Sequence, residues 1–127
     1  MIERHECSIT TNASGNGSYV MGPFTGKLLG IVYTKDATAP YANNVTMLVV
    51  TEKTNQTLWT QASVNATATV YPRAPTHSNA GVASLYAAAG EPVEDKYPIC
   101  NEKITITVDA ADGADKAGTF AVMIDHS

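Results

Sequence analysis

The chain has 127 residues, the size of one domain with a modest hydrophobic core. Its net charge is -4 and no apolar run approaches the length of a membrane span, which argues against nucleic acid and membranes as partners. Charged residues make up 16% of the chain, below the usual share of about a quarter, and Thr, Ser, Asn and Gly take their place. This composition favours sheets and turns over helices.

Short strand-like segments follow one another from the start of the chain. Residues Ile2 to Thr11 form a weak strand or an extended arm, and Asn16-Gly17 suits a tight hairpin turn. Ser18 to Met21 is a short strand that Gly22-Pro23 breaks or bends. The next strand, Lys27 to Thr34, is bounded by turn residues on both sides and contains β-branched and aromatic side chains.

This strand and the following one, Asn44 to Thr51, are the most hydrophobic segments of the chain. Side chains alternate between the two faces of a strand. In the first strand one face is therefore predicted to carry Leu28, Gly30 and Val32, and the opposite face Leu29, Ile31 and Tyr33. In the second strand the two sets are Val45, Met47 and Val49 against Thr46, Leu48 and Val50. Strands that are apolar on both faces need cover on two sides, so we expect one face to meet the core and the other a partner.

The polar turn Glu52 to Asn55 has hairpin length, so Gln56 to Gln61 should pair antiparallel with the preceding strand. Trp59 lies in the middle of that segment and is predicted to anchor the core. Ala66 to Tyr71 alternates with a period of two residues and ends at Pro72.

Residues Pro72 to Pro98 form the longest irregular region, and loops of this length in a small domain are often functional. Between Gly81 and Gly90 the apolar spacing is compatible with one short helix and equally with a bulged or extended segment. Lys96 to Cys100 reads as a short strand. A turn is expected from Ala110 to Lys116.

Two clear strands lie near the end of the chain. Lys103 to Asp109 is expected to face the core with Ile104, Ile106 and Val108 and to face water with Thr105 and Thr107. Gly118 to Asp125 is expected to turn inward Phe120, Val122 and Ile124. About eight short strands with regular turns predict a single all-β domain over residues 1–127, an antiparallel β-sandwich of the jelly-roll or a similar Greek-key kind. Residues 1–17 are its N-terminal arm and hairpin.

The two cysteines are too few for a disulfide scaffold, and the charged N-terminus lacks the apolar segment of a secretory signal. We therefore expect Cys7 and Cys100 to be free, reduced, buried thiols of a cytoplasmic protein; the alternative is a Cys7–Cys100 disulfide that ties an N-terminal strand to a late one. A metal site of His5 with both cysteines is conceivable, but the spacing of the three histidines matches no zinc pattern. No metal and no cofactor is expected.

Acidic groups and possible nucleophiles give no catalytic pattern. Asp109, Asp112 and Asp115 around Gly113 lack the alternate spacing of a calcium loop and predict a solvated turn. A second group of acidic residues consists of Glu91, Glu94 and Asp95. It predicts a polar loop rather than an acid–base pair. Ser84 lacks the glycine frame of a nucleophile elbow. The sequence therefore predicts that the protein is not an enzyme.

The stretch Tyr71 to His77 is the most distinctive of the chain, because two prolines stiffen a segment that carries Tyr, Arg and His. One interpretation is internal: Tyr71 packs in the core and Arg73 forms a salt bridge within the chain. The other is a contact loop in which Arg73 and His77 bind a partner.

Several segments together resemble the capsid decoration, or cement, proteins of tailed bacteriophages. They are, with His77, the runs Phe24–Ile31, Tyr71–Ala74, Leu85–Gly90 and Asn101–Ile104. The resemblance covers roughly Pro23 to Ile124. It implies a jelly-roll protein of the virion that is assembled in the host cytoplasm. Such proteins bind the outside of the shell, formed by the major capsid protein, as dimers or trimers and stabilise it.

Under this interpretation we predict that partner contacts come from the N-terminal segment and the proline-rich region. The residues are Ile2, Glu3, Arg4, Tyr71, Arg73, His77 and Tyr86. The alternative function is a receptor- or carbohydrate-binding β-sandwich of a phage tail fibre or a similar adhesion module. That alternative calls for an aromatic platform or an acidic calcium site.

Overall fold

The computed structural model describes residues 1–109 and 113–126 of the chain. These residues form nine strands and no helix, so the extended alternative holds between Gly81 and Gly90. Among them, accordingly, no helix has the length and hydrophobicity needed to cross a membrane. In chain order the strands are β1 (Ile2–Thr10), β2 (Gly17–Lys35), β3 (Thr46–Thr51), β4 (Thr57–Gln61), β5 (Ala68–Val70), β6 (Arg73–Pro75), β7 (Glu94–Lys96), β8 (Pro98–Asp109) and β9 (Ala117–Asp125).

Six strands lie side by side in the order β1-β9-β2-β8-β3-β4; β5 adds to β2, and β6 pairs separately with β7. All of these pairs are antiparallel. The long strand β2 links the two halves, because its first part pairs with β8 and its second part with β9 and β5. Side chains from both halves enter one hydrophobic core. The protein is therefore all-β and antiparallel, an architecture consistent with a β-sandwich.

The two strands predicted on either side of Gly22-Pro23 are parts of this single strand β2. The pairing with β8 is irregular between Met21 and Gly26, and the Gly22-Pro23 peptide bond is cis. The two strands predicted over Lys96 to Cys100 and Lys103 to Asp109 are likewise parts of one strand, Pro98–Asp109. The strand predicted over Ala66 to Tyr71 is shorter and covers only Ala68–Val70.

The predicted alternation in the second part of β2 is wrong. Leu28, Ile31 and Tyr33 are all buried at 0–1% exposure, although Leu28 was expected on the face opposite the other two. A register shift in the pairing with β9 follows directly after Leu28 and inserts an extra residue, which turns the following side chains to the other face. Leu29 and Val32 are left only half-buried. This strand therefore has one true core face.

Alternation is confirmed in β3, β8 and β9, where three consecutive inward positions of each strand are fully buried. They are Val45 (just before β3), Met47 and Val49; Ile104, Ile106 and Val108; and Phe120, Val122 and Ile124. Trp59 is also buried, as predicted, and β4 pairs antiparallel with β3. The outward side chains Thr105 and Thr107 are half-buried rather than fully exposed to water.

The N-terminal segment is a strand and not a free arm. β1 pairs along its whole length with β9, from Ile2 opposite Asp125 to Thr10 opposite Ala117. The turn before β2 is closed by the side chain of Asn12, whose Oδ1 accepts the amides of Ser14 and Asn16. Because β1 pairs with β9 rather than with β2, the residues around Asn16-Gly17 connect strands that are not hydrogen-bonded neighbours.

A buried carboxylate holds the turn between β3 and β4. Glu102 is 3% exposed, and its Oε1 accepts the amides of Lys53 at 2.9 Å and Thr54 at 2.6 Å. Burial alone would raise the pKa of Glu102, but hydrogen bonds from Thr54, Lys53 and Thr51 outweigh it and hold the pKa below its usual value. The charged side chain therefore links β8 to this turn, a role that its sequence context did not predict.

Candidate functional site

The region between β5 and β8 forms an extended double hairpin, residues 71–97, which we call the arm. Its base is the pair β6–β7, with Arg73 opposite Lys96 and Pro75 opposite Glu94. Further out, two isolated bridges join His77 to Ala83 and Leu85 to Pro92. The segment predicted to be irregular is thus held by backbone pairing along much of its length.

Backbone hydrogen bonds explain why this sequence folds as an arm. Three amides donate to main-chain carbonyl oxygens across the arm. Thr76 donates to Val93 at 2.8 Å, Ser84 to Thr76 at 2.9 Å, and Val93 to Ser84 at 2.8 Å. The first turn closes from Ser78 to Val82, where the amide of Ser78 donates to the Val82 carbonyl. These hydrogen bonds order the arm through its backbone, without a hydrophobic core of its own.

The arm carries four of the eight large hydrophobic side chains that are exposed among the described residues. They are Tyr71 at 63%, Val82 at 64%, Leu85 at 42% and Tyr86 at 76%. Large apolar side chains concentrated on a projecting segment, outside the core, are typical of a contact surface. The arm is therefore the strongest candidate for partner binding.

Arg73 is held at the base of the arm by the main chain. Its Nη1 donates to the carbonyl of Leu29 at 3.2 Å and to that of Pro72 at 2.8 Å. Within residues 1–109 and 113–126 it forms no salt bridge, and Tyr71 is exposed. The internal interpretation was therefore wrong about both contacts, although Arg73 does help to fix the arm to β2.

Beside the base of the arm lies a cavity of about 430 Å³ between β2 and the β6–β7 pair. The wall of this cavity includes the charged side chains of Lys27, Asp95 and Lys96. The exposed His77 also lines it. Tyr86 lies further out, beyond the second hairpin bridge. The four predicted contact residues of the proline-rich region are thus brought onto one structural unit.

The three predicted contact residues of the N-terminus lie on a different element, the strand β1. Ile2 is 63% exposed, and Arg4 is exposed and donates through Nε to Glu6. Glu3 points instead toward two histidine rings. The structure therefore divides the predicted contact residues into two groups, one on the arm and one on β1.

Two rows of uncharged side chains cross the outward side of β2, β8, β3 and β4, between the exposed Lys103 and Asp109 of β8. The strand registers align two rows across it: Val20, Thr105, Val50 and Thr57, and Ser18, Thr107, Leu48 and Thr60. We call these two rows the outer face. Leu48 and Val50 are half-buried there, while Val20 is 51% exposed. An uncharged area of a sheet face is suited to contact with another protein surface.

One cluster was missed by the sequence analysis, because its members come from opposite ends of the chain. The Oε2 of Glu3 lies 3.4 Å from Nε2 of His5 and 3.5 Å from Nε2 of His126. The pairing of β1 with β9 brings these residues together. No local spacing between histidines could have revealed it.

The other candidates for chemistry do not form such clusters within the described residues. Cys7 and Cys100 are free, as predicted, but only Cys7 is buried, so the expectation that Cys100 is buried was wrong. Burial raises the pKa of the Cys7 thiol to about 11, which makes it a poor metal ligand. Asp109 and Asp115 are exposed, and Asp112 lies outside the described residues. The acidic residues of the arm, Glu91, Glu94 and Asp95, are exposed.

The arm, the outer face and the Glu3–His5–His126 cluster are therefore the three features on which a function can be argued. Comparisons of this chain with protein-family models, with curated proteins and with solved structures find no match.

Proposed function

We propose that this chain is a structural protein of a phage virion that binds the outside of an assembled capsid and stabilises it. The observation that carries the proposal is the arm, which displays Tyr71, Val82, Leu85 and Tyr86 to solvent. The resemblance of the sequence to capsid decoration proteins supports the same function and includes part of the arm, Leu85 to Gly90. We also propose that the strands of the sandwich are arranged as a jelly roll.

The arm is well suited to dock onto a surface that already exists. Prolines at positions 72, 75 and 92 restrict its backbone, and its cross-strand hydrogen bonds hold the hairpins in place. A segment that is ordered before binding loses less conformational entropy when it docks. Exposed tyrosines also provide large contact areas with few rotatable bonds. The arm can therefore contribute affinity without refolding.

Binding to the assembled capsid is by itself enough to stabilise it. A protein that binds the assembled lattice more tightly than its separate subunits shifts the equilibrium toward the assembled state. Many equivalent sites on one particle add these contributions, so modest affinity at each site is sufficient. The partner in this proposal is the major capsid protein, and assembly takes place in the host cytoplasm.

The outer face supports a homo-oligomer, either a dimer or a trimer. Its eight positions in the two rows include no charged residue, and the apolar side chains at its centre are Leu48 and Val50. Two such faces can pack without burying an unpaired charge. We therefore propose that the outer face joins copies of this chain, while the arm contacts the shell.

Exposed tyrosines give some support to the alternative function, a receptor- or carbohydrate-binding module of a tail fibre. Tyr19, Tyr71 and Tyr86 are exposed, whereas Trp59 is buried. Tyr19 lies on β2, however, and only the other two share the arm. The alternative predicts saturable binding of a cell-surface glycan and no binding to capsids.

Co-sedimentation with purified shells that lack decoration tests the main proposal. The double variant Val82→Ser with Tyr86→Ser removes the two most exposed apolar side chains of the arm. We expect it to weaken capsid binding by about tenfold or more, since buried aromatic contacts often dominate an interface. The control, Tyr19→Ser, also removes an exposed tyrosine but lies outside both the arm and the outer face, so it should bind like the parent. Equal binding by both variants, or none by the parent, would reject the proposal.

Sedimentation velocity tests the oligomer. Leu48→Lys places a charge at the centre of the outer face without entering the core, because Leu48 points away from the fully buried Met47 and Val49. We expect the parent to sediment as a dimer or trimer and the variant as a folded monomer. The control, Thr34→Lys, adds the same charge at an exposed position of β2. A monomeric parent at micromolar concentration contradicts this part of the proposal.

A further inference from the structure

The cluster of Glu3, His5 and His126 lies where the start of β1 meets the end of β9. Glu3 and His5 are two residues apart on one strand and therefore share a face. His126 directly follows β9, and its amide donates to the carbonyl of Met1 at 2.8 Å. The backbone of β2 approaches closely at Gly26, whose φ is +148° and whose missing Cβ leaves room for the main chain of Asp125 and His126. The fold thus fixes all three residues through their backbones.

The distances within the cluster are unsuited to hydrogen bonding. A histidinium–carboxylate bond has its heavy atoms roughly 2.7–2.9 Å apart. Here both imidazole Nε2 atoms face the same Glu3 oxygen, at 3.4 and 3.5 Å. The Nε2 of His5 is buried and makes no hydrogen bond. A buried ring nitrogen without a hydrogen bond is uncommon, so its surroundings call for an explanation.

The same distances fit the ligands of a metal ion. Ligand atoms bound to a tetrahedral zinc ion at 2.0–2.2 Å lie roughly 3.3–3.6 Å from one another. The three candidate ligand atoms all lie within 4.8 Å of each other, so only a small rotation of the partly exposed His126 side chain is needed to bring the two imidazole nitrogens to this spacing. Two imidazoles with one carboxylate are a common ligand set of zinc and related ions.

The hydrogen bond on the far side of His126 supports this assignment independently. Its Nδ1 lies 2.9 Å from the carbonyl oxygen of Thr25. A carbonyl can only accept, so Nδ1 carries the hydrogen, which leaves Nε2 as the ring atom that can bind a metal ion. Metal-bound histidines are usually oriented by such a bond to a backbone carbonyl.

We propose that Glu3, His5 and His126 form a binding site for a divalent transition-metal ion of the zinc class. The Nε2 atoms of both histidines and the Glu3 carboxylate are the ligands. All three residues line a cavity of about 690 Å³, bordered also by Tyr19, Val20 and Phe24, and a water or a group from outside can complete the coordination there. A bound ion joins the edge strand β1 to the end of β9 and stabilises the folded state by linkage.

Isothermal titration with zinc chloride tests the site on the tag-free chain. The background carries Cys100→Ser, which removes the exposed thiol as a competing ligand. We expect one saturable site and a fall in affinity of about tenfold or more in both His126→Ala and Glu3→Gln. His77→Ala, which removes an exposed histidine of the arm, is the matched control and should leave the affinity unchanged.

Two further measurements separate this site from nonspecific binding. Cobalt(II) should give a visible absorption band in the parent that is lost in His126→Ala. Zinc should slow amide exchange in β1, whereas magnesium, which prefers oxygen ligands, should not. Saturable binding that is unchanged in His126→Ala, or no saturable binding in the parent, overturns the proposal. These outcomes are independent of capsid binding.

Discussion

The sandwich and the arm use similar side chains for opposite purposes. In the sandwich, residues such as Ile106 and Phe120 are fully excluded from water between the strands. In the arm, Leu85 and Tyr86 are equally apolar but remain exposed, and order comes from backbone hydrogen bonds instead. Burial of apolar surface stabilises a fold, whereas apolar surface left in water is available to a partner. The comparison predicts that stability and the proposed binding can be changed separately in this protein.

The largest effect is expected in the core. Ile106→Ala removes buried methyl groups from the middle of β8 and leaves a cavity, which should lower the free energy of unfolding by about 2–5 kcal/mol. Leu85→Ala in the arm is the matched truncation and should change it by less than about 0.5 kcal/mol. Urea unfolding followed by tryptophan fluorescence measures both. Similar losses in the two variants would show that the arm belongs to the cooperative core.

A smaller effect is expected at the buried carboxylate. Glu102→Ala removes the acceptor of the Lys53 and Thr54 amides and should cost about 1–3 kcal/mol. The folded pKa of Glu102 is lowered, so its contribution is present above the unfolded value of about 4.3 and is lost as pH falls through the folded pKa. Thermal unfolding of the parent should therefore lose stability below about pH 5, and less steeply in Glu102→Gln. Identical pH profiles would assign the acid sensitivity to other groups.

The smallest effect is expected at the base of the arm. Arg73→Ala removes two hydrogen bonds to main-chain carbonyls and should lower global stability by no more than about 1 kcal/mol. Because one of these bonds fixes the arm to Leu29, the variant should be cleaved faster by chymotrypsin after Tyr86. Arg4→Ala, which removes an exposed arginine of β1, should be cleaved like the parent. Unfolding of Arg73→Ala would place this side chain in the framework of the sandwich.

Much of the sandwich could be predicted because the signals were local. In β3, β8 and β9 each inward residue alternates with an outward one, and burial follows that period. Alternation failed in β2, where the register shifts between Leu28 and Gly30 and the isolated glycine is the only local sign of a bulge. The bulge appears only when β2 is aligned with β9, which lies far along the chain.

The candidate site depended more on long-range pairing. The contact residues of the arm were predicted from its prolines and from the Tyr, Arg and His side chains between them. The double hairpin itself could not be predicted, because it depends on hydrogen bonds between residues as distant in sequence as Thr76 and Val93. Arg73 was assigned either an ion pair within the chain or a contact with a partner, whereas the structure shows hydrogen bonds to two main-chain carbonyls, which no sequence pattern marks. The Glu3–His5–His126 cluster needs both chain ends in one place, so spacing could not predict it.

Removal of the arm tests most directly the claim that folding and binding reside in different parts of the molecule. Thr76 and Val93 are hydrogen-bonded neighbours, so residues 77–92 can be replaced by an Asn-Gly turn that closes a short hairpin on β6 and β7. The shortened chain is then measured for thermal unfolding and for co-sedimentation with undecorated capsids. We predict a melting temperature close to that of the parent and loss of capsid binding. Unchanged binding, or loss of the folded state, would contradict the account.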